Sequence, residues 1–596
     1  MSQVKERHEI NERYRWDLSA LFPSDEAWEE GFSSLKQALP ALQRFRGKLH
    51  EKETLLQYFR ESHDTELLSE RLFVYAKMKR DLDNSDAQSV SMVDRALSFL
   101  TQAEAEIAFV TPELTALPDE TLLAWSRDAA FADHSLTLSE IVREKQHILS
   151  EKEERLLALS GEMASAPQNT FTMLNNVDLT FTPITLPDGT KTELSHGRYG
   201  LFLENRDRSV RKQAYESMYG AIRAHINTLA SLYAANVKKD VFYARIRGFS
   251  GAREAALFGG NIPQVVYDGL IEAVHGAFPA LHRYIARRKD VLGVDELKMY
   301  DLYVPLTDKT DEVYTYEDAQ KLALDALAPL GDEYLHLLKR AFRERWIDVY
   351  ETKGKTSGAY SWGAYGTHPY MLLNFQERLD DVFTLVHEAG HSMHTFFSDR
   401  ALPYEKAQYR IFVAEVASTV NEVLLLQYLL GKTKDKRERA YLLNHLLDQF
   451  RTTVFRQTMF AEFEWKAHTM AEANEALTVD ALNTLYADLN RAYYSEAVDT
   501  DPLIATEWAR IPHFYNAFYV YQYATGFSAA VSIADRILKE GTPAVDAYLR
   551  FLSSGGSDFP VELLKIAGVD LSAPTAIRDA LAVFEKTLEQ WEDILI

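Results

Sequence analysis

A mainly α fold interrupted by two short β-rich patches is what this sequence predicts, and three observations predict it. Residues 24–160 run through Leu, Ala, Glu, Lys and Arg with apolar positions at helical spacing and little Gly or Pro; Leu67-Leu-Ser-Glu-Arg-Leu-Phe-Val-Tyr-Ala-Lys-Met78 is typical. From Leu179 to Thr190, β-forming residues alternate around an Asp188-Gly189 turn, a hairpin signal. Residues 347–375 then carry Gly354, Gly358, Gly363 and Gly366 among Tyr, Ser and Thr, and end in the strand-like Tyr370-Met-Leu-Leu-Asn-Phe375.

Taken in order, the amphipathic helices of 24–160 read as plain helical packing. The hairpin marks a boundary between an N-terminal helical region, residues 1–185, and a second region, residues 186–596. Asn205-Arg-Asp-Arg-Ser-Val210 opens another long helix, with Asp207 or Ser209 as its cap. Glycines in the 347–375 patch allow close approach of another backbone, so an extended peptide could add itself there as a strand.

Composition removes several classes. The chain has 596 residues, 46% of them hydrophobic, enough for a sizeable core. It has no cysteine, which excludes disulfides, thiolate metal sites and cysteine nucleophiles. A formal net charge of −23 argues against nucleic acid, whose binding needs cations against phosphate. No run approaches the roughly 18 apolar residues that span a membrane. The first residues lack an apolar signal segment, so a cytoplasmic location is expected.

The chemistry concentrates after residue 380. In Asp381-Val-Phe-Thr-Leu-Val-His387-Glu388-Ala-Gly-His391, two imidazoles four residues apart on a helix project from one face and can grip one zinc ion. Glu388 can then meet the water on that ion as general base. Val382, Phe383, Val386 and Met393 are spaced to bury the helix, while Ala389 and Gly390 are small where a ligand needs room. His394 shares the ligand face; as a third ligand it would crowd the ion, so an outer or substrate-side role is favoured.

A carboxylate ligand is expected from a second helix. Phe412-Val-Ala-Glu415-Val-Ala-Ser-Thr-Val-Asn-Glu422 sets two acids seven apart inside an apolar stretch, and buried carboxylates are costly unless they are paired or bind metal. Glu415 is the expected ligand. Glu422 is either an acceptor that orients a ligand histidine or a solvated charge.

These motifs resemble the thimet-oligopeptidase-like zinc metallopeptidases, and within them the bacterial oligoendopeptidase F group. Further matches are Tyr14-Arg-Trp-Asp-Leu18, Leu194-Ser-His-Gly-Arg-Tyr199, Gly358-Ala-Tyr360-Ser-Trp362, and Ile511-Pro-His513-Phe-Tyr515 through Phe518-Tyr519-Val-Tyr-Gln-Tyr523-Ala-Thr-Gly526. The resemblance covers nearly the whole chain. It implies a large helical zincin-like metallopeptidase with a small β-sheet beside the active-site helix and a deep substrate channel. Residues 186–596 would be the catalytic region, and Gly358 and Tyr360 would lie on the substrate side. It also implies a histidine and tyrosines over the metal.

Tyr515, Tyr519 and Tyr523 are spaced by four and would share a helix face. Such aromatic stripes are often core, but phenols and an imidazole are also what a developing oxyanion needs. The segment departs from the thimet-type version: its loop is shorter and no glycine pair follows His513. Tyr515 and Tyr519 are favoured as donors with His513, and Tyr523 ranks third.

The expected function is that of a metalloendopeptidase with one zinc ion, cutting internal bonds of short oligopeptides in peptide catabolism. The alternatives are a zinc carboxypeptidase on a similar scaffold and a non-catalytic zinc-containing peptide-binding protein. The oligomeric state is not legible.

Overall fold

The long amphipathic runs do fold as helices. A computed structural model describes residues 4–307 and 312–595, and among these the strands are all two or three residues long. Two compact units emerge: Met1–Gln146, Asp311–Tyr428 and Ile533–Val569 form the first, and His147–Thr310, Leu429–Ser532 and Asp570–Ile596 form the second.

In the first unit, helix Lys52–Leu82 packs beside helix Ala87–Ile107, which starts where the Asp86 carboxylate accepts from the Gln88 and Ser89 amides. Their core is aromatic. Trp28 is fully buried, stacks on Phe32 at 5.1 Å and donates its indole N–H to the Leu72 carbonyl at 2.8 Å. Tyr370 and Leu372 of the glycine-rich patch belong to the same core cluster.

That patch folds into a three-stranded sheet. Tyr370–Leu372 lies at its centre, parallel to Ile347–Asp348 and antiparallel to the edge strand Tyr360–Trp362, with Ser361 opposite Met371. A buried cation ties it together. The Lys355 ammonium, fully buried, meets Asp348 Oδ1 at 2.8 Å and donates to the carbonyls of Tyr350 at 2.7 Å and Leu373 at 2.5 Å. Asp348 also holds Arg7 at 2.7 Å, so the buried charges are paired.

In the second unit the expected hairpin forms, with Ile184–Thr185 antiparallel to Lys191–Thr192. Asp207 caps helix Arg208–Ala224 by accepting from the Ser209 amide. Residue 185 is not a packing boundary. The hairpin lies within this unit, where Gln213 of that helix bonds to both the amide and the carbonyl of Thr185.

Candidate active site

The histidine motif lies in helix Leu379–Ala401, in the first unit. Asp381 starts the helix by accepting from the Gln376 and Arg378 amides at 3.1 and 2.9 Å. Val382, Val386, Ala389 and Met393 are fully buried, which turns His387 and His391 toward a half-buried face. Beside it runs helix Ile411–Lys432. This helix is long and apolar enough to cross a membrane, but 72% of that stretch is buried inside the protein, as in a core helix.

Gly390 sets how closely the two helices approach. A Cβ there would stand 2.5 Å from Ser418 Cα and 2.6 Å from the Ala417 carbonyl oxygen. The room that this small residue provides is therefore for the neighbouring helix backbone, not for a ligand as the sequence suggested. Asn421, fully buried, locks the crossing by donating to the Val386 carbonyl at 2.9 Å while bonding to the Tyr334 phenol.

This crossing brings three donor atoms together. His387 Nε2 and His391 Nε2 are 3.2 Å apart, and Glu415 Oε2 lies 3.4 Å from each. Ligand atoms about 2.05 Å from a tetrahedral ion stand about 3.3 Å from one another. The triangle thus fits a small divalent cation with a fourth corner for water or substrate. Ser418 steadies the carboxylate by donating to Glu415 Oε2 at 3.1 Å.

Glu422 bonds to the first imidazole. Its Oε1 is 2.5 Å from His387 Nδ1, which puts the ring proton on Nδ1 and leaves the Nε2 lone pair for a metal. Burial would lower the His387 pKa, but hydrogen bonds to Glu415 and Glu422 outweigh it and push it up to about 10. Hydrogen bonds from the two imidazoles hold Glu415 well below the usual carboxylate range. The two imidazoles and Glu415 form a group that could hold a metal ion.

Glu388 is only 6% exposed, and its Oε2 is buried without a hydrogen-bond partner. Burial raises its pKa, which favours proton uptake by this carboxylate. His394 lies apart from this cluster. Its ring stacks on Tyr409 at 3.7 Å, is 1% exposed and has neither nitrogen hydrogen-bonded. Burial holds its pKa down to about 3, so it is a neutral core histidine and not the substrate-side group expected from its spacing.

The sheet adjoins the motif helix, with the Ser361 hydroxyl 2.7 Å from that of Ser392. Met371 and Leu373 donate to Trp346 and Asp348, so Tyr370 and Leu372 serve Trp362 and Tyr360. This register points the Ser361 N–H and C=O to the open edge, where no described residue's backbone meets them. Tyr360 is anchored through its phenol to Asp81 Oδ2 at 2.9 Å. Gly358 sits at φ +83° with open space around its Cβ position, so conformation rather than close approach explains it.

His513 and its tyrosines belong to the second unit. They do not share one helix face. Pro512–Tyr515 is a 3₁₀ turn, and the next helix begins only at Tyr521. Between them Phe518 takes φ +54°, a left-handed conformation that costs a bulky residue about 1–3 kcal/mol. The break regroups the aromatics. His513 Nε2 is 3.3 Å from the Tyr523 hydroxyl, and the His513 and Tyr519 rings lie parallel at 6.1 Å. Tyr515 instead stacks on Phe171 at 4.3 Å and is 5% exposed, so Tyr523 and Tyr519, not Tyr515, stand beside the imidazole. Burial, then the Arg456 charge, lowers the His513 pKa.

Sequence reading missed Glu464 and Glu507, both buried within this loop's unit. Glu507 pairs with Arg456 at 2.6 Å and accepts from the phenols of Tyr219 and Tyr486. Glu507 follows the mostly apolar Leu503-Ile-Ala-Thr506, a weaker form of the signal that pointed to Glu415, whereas Glu464 stands between Glu462 and Lys466 and carries no such signal.

Residues 201–583 match the model of peptidase family M3, and residues 113–181 match that of oligopeptidase F. The chain belongs to peptidase family M3. It is 44% identical to oligopeptidase PepF of Bacillus subtilis over 100% of this chain and 89% of that one. An oligoendopeptidase F homolog of Lactococcus lactis is 41% identical over 99% of both chains. The crystal structure of oligoendopeptidase-F from Enterococcus faecium superposes with a TM-score of 0.75 at 37% identity, over 96% of this chain and 99% of that one. A solved Chlamydophila abortus protein gives 0.95 at 34% identity, over 99% and 100%. As a member of family M3, of the oligoendopeptidase F kind, the chain is a metallopeptidase that cleaves internal bonds of oligopeptides.

Proposed function

We propose that one zinc ion is held by His387, His391 and Glu415, with Glu388 as general base. The observation that carries this is the triangle of donor atoms, 3.2, 3.4 and 3.4 Å on its edges, beside a buried carboxylate oxygen with no partner. When bound, zinc supplies a Lewis acid that polarises the scissile carbonyl and acidifies water. Glu388 takes a proton as water attacks the carbonyl carbon, then delivers it to the departing amine as the C–N bond breaks. Glu422 keeps His387 in its ligating tautomer.

Within the second unit, His513 and Tyr523, with Tyr519 beside them, are the donors suited to a developing oxyanion. Their mutual hydrogen-bonding distance and the buried stacking of Tyr515 support this choice. The open edge at Ser361 accepts the substrate backbone as an added strand, which favours main-chain over side-chain recognition. Short peptides in the cytoplasm are the expected substrates, and the net charge of −23 disfavours nucleic acid as a partner.

A peptide-mixture digest read by mass spectrometry, with and without a chelator, tests the reading. Internal cleavage that chelation abolishes and zinc restores is the expected result. Unchanged turnover in metal-free protein would overturn it. Glu415→Ala should lose metal on dialysis, and peptides blocked at both ends should still be cut, which a carboxypeptidase could not do.

A further inference from the structure

We infer that Glu464 is a positioning residue for the His513–Tyr523 loop, its buried carboxyl holding the Phe518 amide so that the imidazole and the phenols keep one arrangement. The inference rests on the oxyanion reading of that loop for its effect on turnover, but not for its effect on loop order.

Glu464 lies in helix Arg456–Glu472 and is fully buried. Its Oε1 accepts from the Phe518 N–H at 2.8 Å, while Oε2 is buried without a partner. No cation among the described residues pairs with it, and an unpaired acid in a core costs more than an apolar side chain of that size. Packing alone therefore gives no reason for an acid here. What the carboxyl supplies is an acceptor for one particular amide. At φ +54° Phe518 leaves the helical path, and its N–H has no backbone acceptor. Burial raises the Glu464 pKa well above the ordinary value, with Asp240 adding to the shift and the Phe518 amide opposing it.

The rest of the loop is held to match. The Phe518 ring, 2% exposed, packs against Tyr267 and His468. His468 Nδ1 bonds to the Glu464 carbonyl at 2.8 Å, so ring and amide share one support. Upstream, fully buried Asn236 donates to the Phe514 carbonyl at 3.2 Å. Segment 514–518 is thus clamped at both ends, with His513 just before the first clamp and Tyr519 just after the second. Releasing the Phe518 amide would let the turn relax out of its left-handed conformation and carry Tyr519 and Tyr523 away from His513.

The test uses the metal-loaded, full-length protein, an internally quenched peptide blocked at both ends, and amide exchange over residues 512–524. Glu464→Gln keeps a carbonyl acceptor and should hold kcat within about twofold and the exchange pattern unchanged. Glu464→Leu, and Glu464→Met should the first fail to fold, should lower kcat at least about tenfold with KM within about twofold, and speed exchange at 514–523. Loss in the Gln variant equal to that in Leu would overturn the acceptor role. So would unchanged exchange at 514–523 in the apolar variants, or wild-type kcat in them while Tyr523→Phe or Tyr519→Phe loses turnover. Tyr523→Phe and Tyr519→Phe separate the two readings: if both keep full turnover while Glu464→Leu still frees the loop, the oxyanion reading fails and the clamp on the loop stands.

Discussion

Replacing Gly390 by Ala tests how far the metal site depends on one helix crossing. The added methyl would stand 2.5 Å from Ser418 Cα and 2.6 Å from the Ala417 carbonyl oxygen, both backbone atoms that no rotamer change can move aside. Ordinary contact needs about 3.5 Å, so the helices must separate by roughly 1 Å. Overpacking of this kind costs about 1–3 kcal/mol. Glu415 lies three residues from Ser418 on the displaced helix, and its Oε2 would move from 3.4 Å toward about 4.4 Å from the two imidazoles, beyond the roughly 3.3 Å edge that a tetrahedral ion requires. Metal affinity should fall by about 10–100-fold, the range seen when supports of a metal site are removed. Competition with a chelator measures that affinity, and thermal unfolding of the metal-free protein measures the packing cost separately. A Gly390→Ala protein with wild-type stability and metal affinity would refute the argument that backbone contact at this crossing sets the ligand triangle.

Three other perturbations probe separate links. Glu388→Gln should retain metal and fold while kcat falls by about 10²–10⁴, and undiminished hydrolysis would remove Glu388 as the base. Tyr523→Phe should lower kcat by about 10²–10³ with little change in KM, and by far more than Tyr515→Phe, whose ring stacks on Phe171; the reverse order would return the role to Tyr515. His394→Phe should flatten the acid limb of stability. With its folded pKa held down to about 3, His394 stays neutral in the fold while the unfolded chain takes up a proton below about pH 6.5, so folding loses about 1.4 kcal/mol per pH unit under that value. Denaturant unfolding between pH 7 and 4.5 should show a smaller loss in the variant, and parallel curves would mean that His394 titrates normally.

The residues of the candidate metal site were legible because each obeys a local rule. His387 and His391 share a helix face by spacing alone, and Glu415 and Glu422 stand out as acids in an apolar run. Helix existence and the hairpin at Asp188-Gly189 were equally local. What misled was the tyrosine stripe: a four-residue spacing implies one helix face only if the helix continues, and Phe518 breaks it. His394 failed likewise, because ring direction depends on Tyr409, a partner fifteen residues away.

Chemistry was therefore written in the chain: a metallopeptidase, its candidate ligands and base, and a helical scaffold follow from residue types at helical intervals. Only the folded structure decided why Gly390 is small, that Ser361 presents an open edge, which tyrosine accompanies His513, and that Glu464 holds the Phe518 amide. These depend on backbone-to-backbone approach and on the turn at Phe518, both set by residues far apart in sequence. Spacing along a chain reports neighbours within one element, whereas distances between elements are settled by packing.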